Sequence, residues 1–530
     1  PELATLEKPM DAALLGVTSR AQFVPPPHPW LSSTHFTNYY YFGHFMGAAL
    51  ARVFGGPNFI VYNLAQPAFC AFFVSSLWSL CAALTKSSWR GVYAMSLVAL
   101  LGHFEPLRQW WVPPLNAENF LFRLDWWSTS RVIPNTINEY PAFTMLIGDA
   151  HAHFWALPLA ALFFCLCFSL FNEYSHRRAI WACVAILLGI LTMTNTWDVP
   201  TYGLLFIVCW IVTLPRETSW KTRAMQFCLA LLPIVLSRVL AWPYLKDFHA
   251  PIQGVALELW LPPFTSLILL WGGFIFLGAV FVRSQLFHPK RDKTILFALG
   301  AIGVLALLAP MFFYIRGIFG DGDYRHQDTV FKFGLQGWLL LGTAASCGAA
   351  LWWSEWKSKA KIPLAILFPL VPLLCSWSVL WTRTTRDAPR TFDGKIALSL
   401  SGAQQLSESD RGALLWLSRN AKPNDSVLEA TSPDAYSEFG RVAALTGVPS
   451  PLGWPQHLRG WGTDESEIAR RTTLIQTAWN WPSDEAAKNA LRELGVKFIF
   501  VGDLERRSYS PAALQKLRNA LPIEYSQGDA

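Results

Sequence analysis

Acidic and imidazole side chains stand at the mouths of apolar stretches throughout this chain, where hydrocarbon tolerates a charge only if it is paired or put to use. The densest group reads Glu139-Tyr-Pro-Ala-Phe, then Gly148-Asp-Ala-His-Ala-His153, and runs directly into Phe154-Trp-Ala-Leu-Pro and an apolar run. Two carboxylates and an imidazole can ligate a divalent ion, and an imidazole beside a carboxylate can relay a proton. Helical spacing from Gly148 onward puts Asp149 and His153 on one face at i, i+4, turns His151 to the other side, and lets Glu139 fold back from beyond Pro141. The expected ligand set is Glu139, Asp149 and His153 around Mg or Mn, with Arg131 and Asn138 in the same cluster. The plainer alternative is a helix N-terminus, where an acidic first turn suits the dipole.

Three further groups carry similar potential. The lead segment holds Glu7-Lys-Pro-Met-Asp11, Pro25-Pro-Pro-His-Pro-Trp30 and Asn38-Tyr-Tyr-Tyr-Phe-Gly-His44. A carboxylate on an irregular loop above a membrane can act as a general base or hold a cation, although an ordinary solvated loop would look the same. At Thr194-Asn-Thr-Trp-Asp-Val-Pro-Thr-Tyr202, Asp198 can cap the helix that Pro200 opens. Trp197 with Asp198 would equally suit a sugar ring, stacked on one face and hydrogen-bonded at its hydroxyls. Asp321 to Lys332 resembles a calcium loop only superficially, because Arg325 falls where an acidic ligand is needed. Arg325 as a fork and Lys332 as a point charge suit a phosphate; pairing with Asp321, Asp323 and Asp328 is the alternative.

The elements that must position these groups are membrane helices. Of 530 residues, 52% are hydrophobic and only 15% charged, and the mean hydropathy is +0.28, which places the chain with polytopic membrane proteins. The 26 Trp and 37 Phe suit aromatic belts at the two interfaces. The net charge of +7 forms no basic stripe of the kind that binds nucleic acid. All nine Cys lie in or beside apolar runs and none follows residue 382, so no disulfide framework is expected in the tail. There is no phosphate-binding Gly-rich loop with Lys-Ser/Thr, no His-Glu-x-x-His and no nucleophile elbow, which disfavours an ATP-driven pump and a conventional hydrolase.

About eleven spans are expected, at 35–55, 59–85, 90–104, 144–171, 178–194, 200–214, 224–243, 263–282, 294–314, 333–353 and 362–381. Basic loops at Arg177–Arg178, Arg216–Arg223, Lys290–Lys293 and Lys357–Lys361 read as cytoplasmic, which puts the intervening polar loops and the tail outside. Strict alternation then misplaces the lead segment, so either 35–55 or 90–104 is expected not to span fully, or 104–140 to hide a re-entrant piece. The expected division is a lead loop over 1–34, a membrane domain over 35–382 and a soluble extracytoplasmic α/β domain over 383–530. In that domain, alternating helical and strand-like segments, with Val496 to Val501 the clearest strand, favour a partly parallel sheet. The first residue is Pro1, and upstream sequence is expected to be missing.

Taken together, these motifs resemble the triple-tyrosine (YYY) family of bacterial and archaeal membrane proteins. The resemblance rests on Glu7-Lys-Pro-Met-Asp11, Pro25-Pro-x-x-Pro-Trp30, Tyr39-Tyr-Tyr-Phe-Gly43, Glu139-Tyr-Pro-x-Phe143 and Gly148-Asp-x-His-x-His153. It continues through Asn195-Thr-Trp-Asp-x-Pro-Thr-Tyr202, Thr329-Val-Phe-Lys332 and Thr446-Gly-Val-Pro to Leu452-Gly-Trp454. The sequence departs from the family pattern at His28, Asp328 and Gly334, where the resemblance would put Asp, Asn and Tyr. That family in turn resembles the C-type glycosyltransferases, whose first extracytoplasmic loop supplies a catalytic carboxylate. By that analogy of architecture Asp11 or Glu7 would be the base or metal-positioning acid, with Asp149 beside them. The substrate contacts would be Arg325, Lys332, Trp197, Asp198, Tyr40 and Arg131. The expected activity is sugar transfer from a polyprenyl-phosphate donor at the outer face of a prokaryotic plasma membrane. A proton-coupled secondary transporter and a non-catalytic assembly factor are the rivals, although no internal hydropathy repeat favours the transporter.

Overall fold

Proline and glycine punctuate this chain, and their positions decide where its helices begin and end. The structure, a computed structural model, describes residues 6–111, 125–172, 176–250, 252–287, 294–317, 320–355 and 399–528, together with 369–370, 373, 376–377, 380–381, 384 and 390–396. The expected span 362–381, the two basic loops beyond residues 287 and 355, and the expected domain boundary at 382 lie wholly or largely outside the described residues.

Within the lead segment, residues 8–20 form a helix where a loop is expected from polarity, while 21–34 carry no helix or strand. Pro9 sits in the first turn of a helix, α1 (Lys8–Arg20), where its missing N–H costs nothing, and Ala12-Ala-Leu-Leu15 continue it with good helix formers. Lys8 through Thr18 are all buried. There follow α2 (Phe42–Phe54), α3 (Asn58–Thr85), α4 (Ser88–Ala99), α5 (Glu105–Trp111), α6 (Pro141–Ile147), α7 (Ala152–Asn172), α8 (Arg177–Thr194), α9 (Asp198–Val212), α10 (Trp220–Leu240) and α11 (Trp242–Leu245). A short hairpin, β1 (Val255–Leu257) against β2 (Phe313–Ile315), brackets α12 (Phe264–Phe287) and α13 (Thr294–Leu308) and leads into α14 (Gln327–Glu355).

Among the described residues, α3, α7, α8, α10, α12 and α13 extended by the helical turn to Met311 each contain a stretch long and apolar enough to cross a membrane. The expected spans 35–55 and 90–104 fold as α2 and α4, of 13 and 12 residues. At about 1.5 Å per residue they reach roughly 20 Å, short of a hydrocarbon core of about 30 Å. Strict inside–outside alternation therefore does not govern this stretch. The two short helices are instead fastened sideways. Gly43 and Gly47 of α2 give passage to the buried Trp155 ring, which any Cβ there would meet at 2.5–2.8 Å, and Trp338 of α14 donates to the Val98 carbonyl of α4 at 2.9 Å.

In the C-terminal part, β3 (Val427–Leu428) pairs in parallel with β4 (Phe498–Ile499). Helices Glu408–Asn420, Arg441–Thr446, Pro455–Gly460, Glu465–Asn480, Asp484–Glu493, Asp503–Ser508 and Pro511–Ala520 surround them. Ser407, Ser483 and Ser510 each cap a helix by accepting from the backbone N–H three residues on, which fixes three helix starts at the positions their sequence marks. Arg441 is fully buried; its guanidinium donates to both Glu505 oxygens at 3.0 and 2.7 Å and lies 3.7 Å from Asp410.

This C-terminal part and the lead segment form one hydrophobic cluster, with Met10, Leu14 and Trp30 packed together with Ala443, Trp454 and Leu458. Asn58, at the start of α3, donates to the Ala12 carbonyl of α1 at 2.8 Å and to that of Ala444 at 2.7 Å. At the crossing, a Cβ on Gly16 would meet the Gly447 Cα at 2.6 Å, and Gly447 itself has φ +70°, which a side chain would strain. Gly16→Val is therefore expected to undock the C-terminal part from α1. The check is limited proteolysis of the full chain in detergent, with cleavage after α14 at least severalfold faster than in wild type.

Candidate functional site

The Gly148 turn determines where the chemistry gathers. Gly148 closes α6 in the left-handed region (φ +71°), and α7 does not begin until Ala152, so Asp149 to His151 are not helical. Tyr62 of α3 clasps the turn, its hydroxyl within 3.3 Å of both the Gly148 carbonyl and the Ala150 N–H. This sends His151, which helical spacing had turned away, straight into the carboxylates of the lead segment.

His151 is the centre of a five-member chain. Its Nδ1 stands 2.8 Å from Asp11 Oδ2, and its Nε2 contacts Glu7 Oε2. Asp11 Oδ1 accepts from His44 Nε2 at 3.1 Å, with both side chains inaccessible to solvent. Glu7 Oε1 accepts from His457 Nε2 at 2.9 Å and from the Tyr436 hydroxyl at 3.4 Å. Glu7 is 28% exposed and His151 17%. Burial opposes charge on all three central groups, but their mutual attraction outweighs it. The pull of His151 and its hydrogen bonds hold Glu7 well below the usual carboxylate range and lower Asp11, and the two carboxylates raise His151 well above an ordinary imidazole.

Asp149 behaves oppositely. Burial pushes its carboxyl up to about 8, because the pull of Lys8 and His151 is partly cancelled by the charges of Asp11 and Glu7. Its Oδ1 is buried and accepts no hydrogen bond from the described residues. A carboxyl at about 8 with a free oxygen is suited to take or give one proton near neutral pH.

The remaining predicted residues fall into three places. Glu139 Oε2 accepts from Thr144 at 3.0 Å and from His153 at 3.2 Å; burial resists its charge, but His153 and then Arg131 keep it ionised and its pKa low. Arg131 lies 4.5 Å over the Trp127 ring. The expected ligand set of Glu139, Asp149 and His153 is thus divided: Glu139 and His153 pair with each other, while Asp149 faces Lys8, His151, Asp11 and Glu7. Among the described residues no group of three or more His, Cys, Asp or Glu is arranged to hold a metal ion. The physical reason is again the Gly148 turn, which breaks the i, i+4 relation on which that set depended.

A second neighbourhood joins Tyr40, Trp197, Asp198 and Lys332. Tyr40 lies beside Thr196, Lys332 Nζ lies 5.7 Å over the Trp197 ring, and Gln336 donates to the Trp197 carbonyl at 2.8 Å and to Asp198 at 2.9 Å. Tyr39 connects it to the central chain, 5.5 Å from Tyr40 and 6.4 Å from His151. Phe331 connects it to His153 at 4.7 Å. Arg325 stands apart from both. Its guanidinium donates to both oxygens of Glu258 at 2.9 and 2.8 Å, and His326 shares that carboxylate at 3.1 Å while stacking on Trp260. The fork expected to meet a phosphate is therefore occupied by a carboxylate from the β1 hairpin, a partner that sequence spacing does not indicate. His44 and His151 lie in clusters that the sequence marks without giving either a site role, and His457 is a tail residue that the sequence offers either as an acceptor contact or as aromatic packing; the structure joins all three to Glu7 and Asp11. The one available signal was Gly148 as a helix stop.

Six apolar spans among the described residues, a carboxylate–imidazole chain and a C-terminal part that reaches it through His457 define a polytopic, mainly α-helical membrane protein with a titratable site. The family model described as an uncharacterized membrane protein (DUF2298) matches residues 1–309, and the chain belongs to that family. No curated protein matches it. Among solved structures, the oligosaccharyltransferase AglB of Archaeoglobus fulgidus, in complex with an inhibitory peptide and a dolichol-phosphate, is similar at 10% identity with a TM-score of 0.46 over 94% of this chain. The apo form of the Archaeoglobus fulgidus oligosaccharyltransferase gives 10% identity and 0.45 over 94%. The chain spans 65% and 66% of those two proteins.

Proposed function

We propose that this protein transfers a sugar from a polyprenyl-phosphate donor to an acceptor at the extracytoplasmic face of the membrane. The observation that carries this reading is the convergence of Glu7, Asp11, Asp149 and His151, drawn from segments about 140 positions apart, on one partly exposed site beside Tyr40, Trp197 and Lys332.

The division of labour follows from what encloses each carboxylate. Asp11 is enclosed by His44 and His151 and acts only through them. Both Glu7 oxygens are engaged. Asp149, with its unpaired oxygen, is the group that takes the acceptor proton. The acceptor heteroatom then bonds to the sugar C1, the C1–O bond to phosphate breaks, and its electron pair leaves with the polyprenyl phosphate. Lys332 beside Trp197 supplies positive charge toward that leaving group, while protonated His151 holds the two carboxylates of the lead segment together. The rings of Trp197 and Tyr40 offer apolar faces to a sugar.

The pH dependence tests the role of Asp149. Below its pKa the carboxyl already carries a proton and cannot accept another, so kcat/KM is expected to fall about tenfold per unit on the acid side. It should level off above about 8. The measurement is transfer from radiolabelled polyprenyl-phosphate hexoses into membrane lipid or protein between pH 5 and 10. A profile flat across that range would count against the base.

A further inference from the structure

We propose that the C-terminal part completes this site through His457, a positioning residue that holds the Glu7 carboxylate against His151. The inference deepens the transferase reading of the same site and rests on it.

Glu7 is shared between the two ends of the chain. One of its oxygens meets His151 from the membrane part, and the other is held by His457 at 2.9 Å and Tyr436 at 3.4 Å, both from beyond residue 430. His457 is 9% exposed, and its Nδ1 is buried with no hydrogen-bond partner among the described residues, so the polar contact of the ring is spent on Glu7. Aromatic packing alone gives no reason to bury an unpaired nitrogen, since a phenyl ring would fill the same space at no such cost. That packing does fix the ring: Trp454 lies 5.1 Å away, Tyr436 5.4 Å and Trp30 6.2 Å, the last at 83°. Tyr436 adopts φ +57°, a conformation costly for a residue with a side chain. There its hydroxyl reaches the same oxygen.

The backbone leading to His457 is equally constrained. Ser450 donates to the Pro29 carbonyl at 2.8 Å and Gly453 to that of Trp30 at 3.1 Å. A Cβ on Gly453 would come within 2.0 Å of the Trp30 ring. The segment that carries His457 is therefore fastened to the lead segment at Pro29 and Trp30. Freed from His457, Glu7 can turn away from His151, which then loses one of its two counter-charges at the reacting centre.

The test uses the full chain in native membranes and has two arms. In the first, His457→Lys is treated with a water-soluble carbodiimide, which joins an amine to a carboxylate only at contact distance. Mass spectrometry should recover the introduced amine linked to Glu7, and Glu7→Gln should abolish the product. In the second, transfer from radiolabelled polyprenyl-phosphate hexoses is compared for two replacements of opposite kind. His457→Gln keeps a donor near the Nε2 position, whereas His457→Phe keeps the aromatic packing and loses the donor. Phe should lower kcat roughly tenfold or more with KM little changed, and Gln should restore most of it. Absence of the cross-link, or full activity in the Phe variant, overturns the inference. If the cross-link forms while wild type transfers none of the hexoses, the transferase reading falls and the contact between the two ends of the chain stands.

Discussion

Asp149→Asn is expected to lower sugar transfer by about two to four orders of magnitude, the usual worth of a positioned general base. The replacement keeps the shape of the side chain and removes only its ability to take a proton. Because Asp149 Oδ1 makes no hydrogen bond with the described residues, an amide nitrogen in its place displaces no hydrogen bond there. Tyr62 continues to brace the turn through the backbone of Gly148 and Ala150. The variant should therefore insert and resist protease as wild type does, and transfer of radiolabelled sugar should fall on its own. Wild-type rates in this variant would remove Asp149 from the chemistry. Asp11→Asn should act differently. It leaves His151 with one counter-charge instead of two, so the imidazole loses affinity for its proton and the remaining activity shifts toward lower pH.

The second large effect is one of stability. Arg441→Met should weaken the C-terminal part by about 3–5 kcal/mol, because the cost of breaking a buried ion pair is set by the partner left behind. Glu505 is buried and accepts from the Ala430 and Gly502 N–H groups as well as from Arg441. Without the guanidinium its charge is uncompensated, and Asp410 loses its nearest cation. Adding Glu505→Gln to Arg441→Met should recover a large part of the loss, since it removes the stranded charge; pulse proteolysis in urea on the full chain measures both. If the single variant lost under about 1 kcal/mol, the cluster would be behaving as an exposed salt bridge. Function should follow stability here. Helix Arg441–Thr446 ends at Gly447, against Gly16 on the same short helix as Asp11.

Much of this architecture is written locally. Long apolar runs mark α3, α7, α8, α10, α12 and α13, because a helix in lipid must satisfy its own backbone and stay apolar for about 20 residues. In the tail, Ser407, Ser483 and Ser510 start helices by capping them, a property of the residues themselves. The errors came where local and tertiary preferences diverge. Polarity and proline suggest a loop over residues 1–34, yet Pro9 opens a helix buried jointly by α2, α3 and residues more than 400 positions later. Spacing from Gly148 assumed a helix, but the glycine ends one.

The sequence by itself determined the class of molecule, the titratable residues available to it and most of its helix boundaries. These depend on composition, periodicity and neighbours a few positions away. Which of those residues meet depends on the packing of distant helices: His151 with Glu7 and Asp11 rather than His153 with Asp149, Arg325 with Glu258, and His457 with Glu7 across 450 positions. Ion pairing and hydrogen bonding are indifferent to separation along the chain, and reward whichever partner the packing of helices brings within about 3 Å.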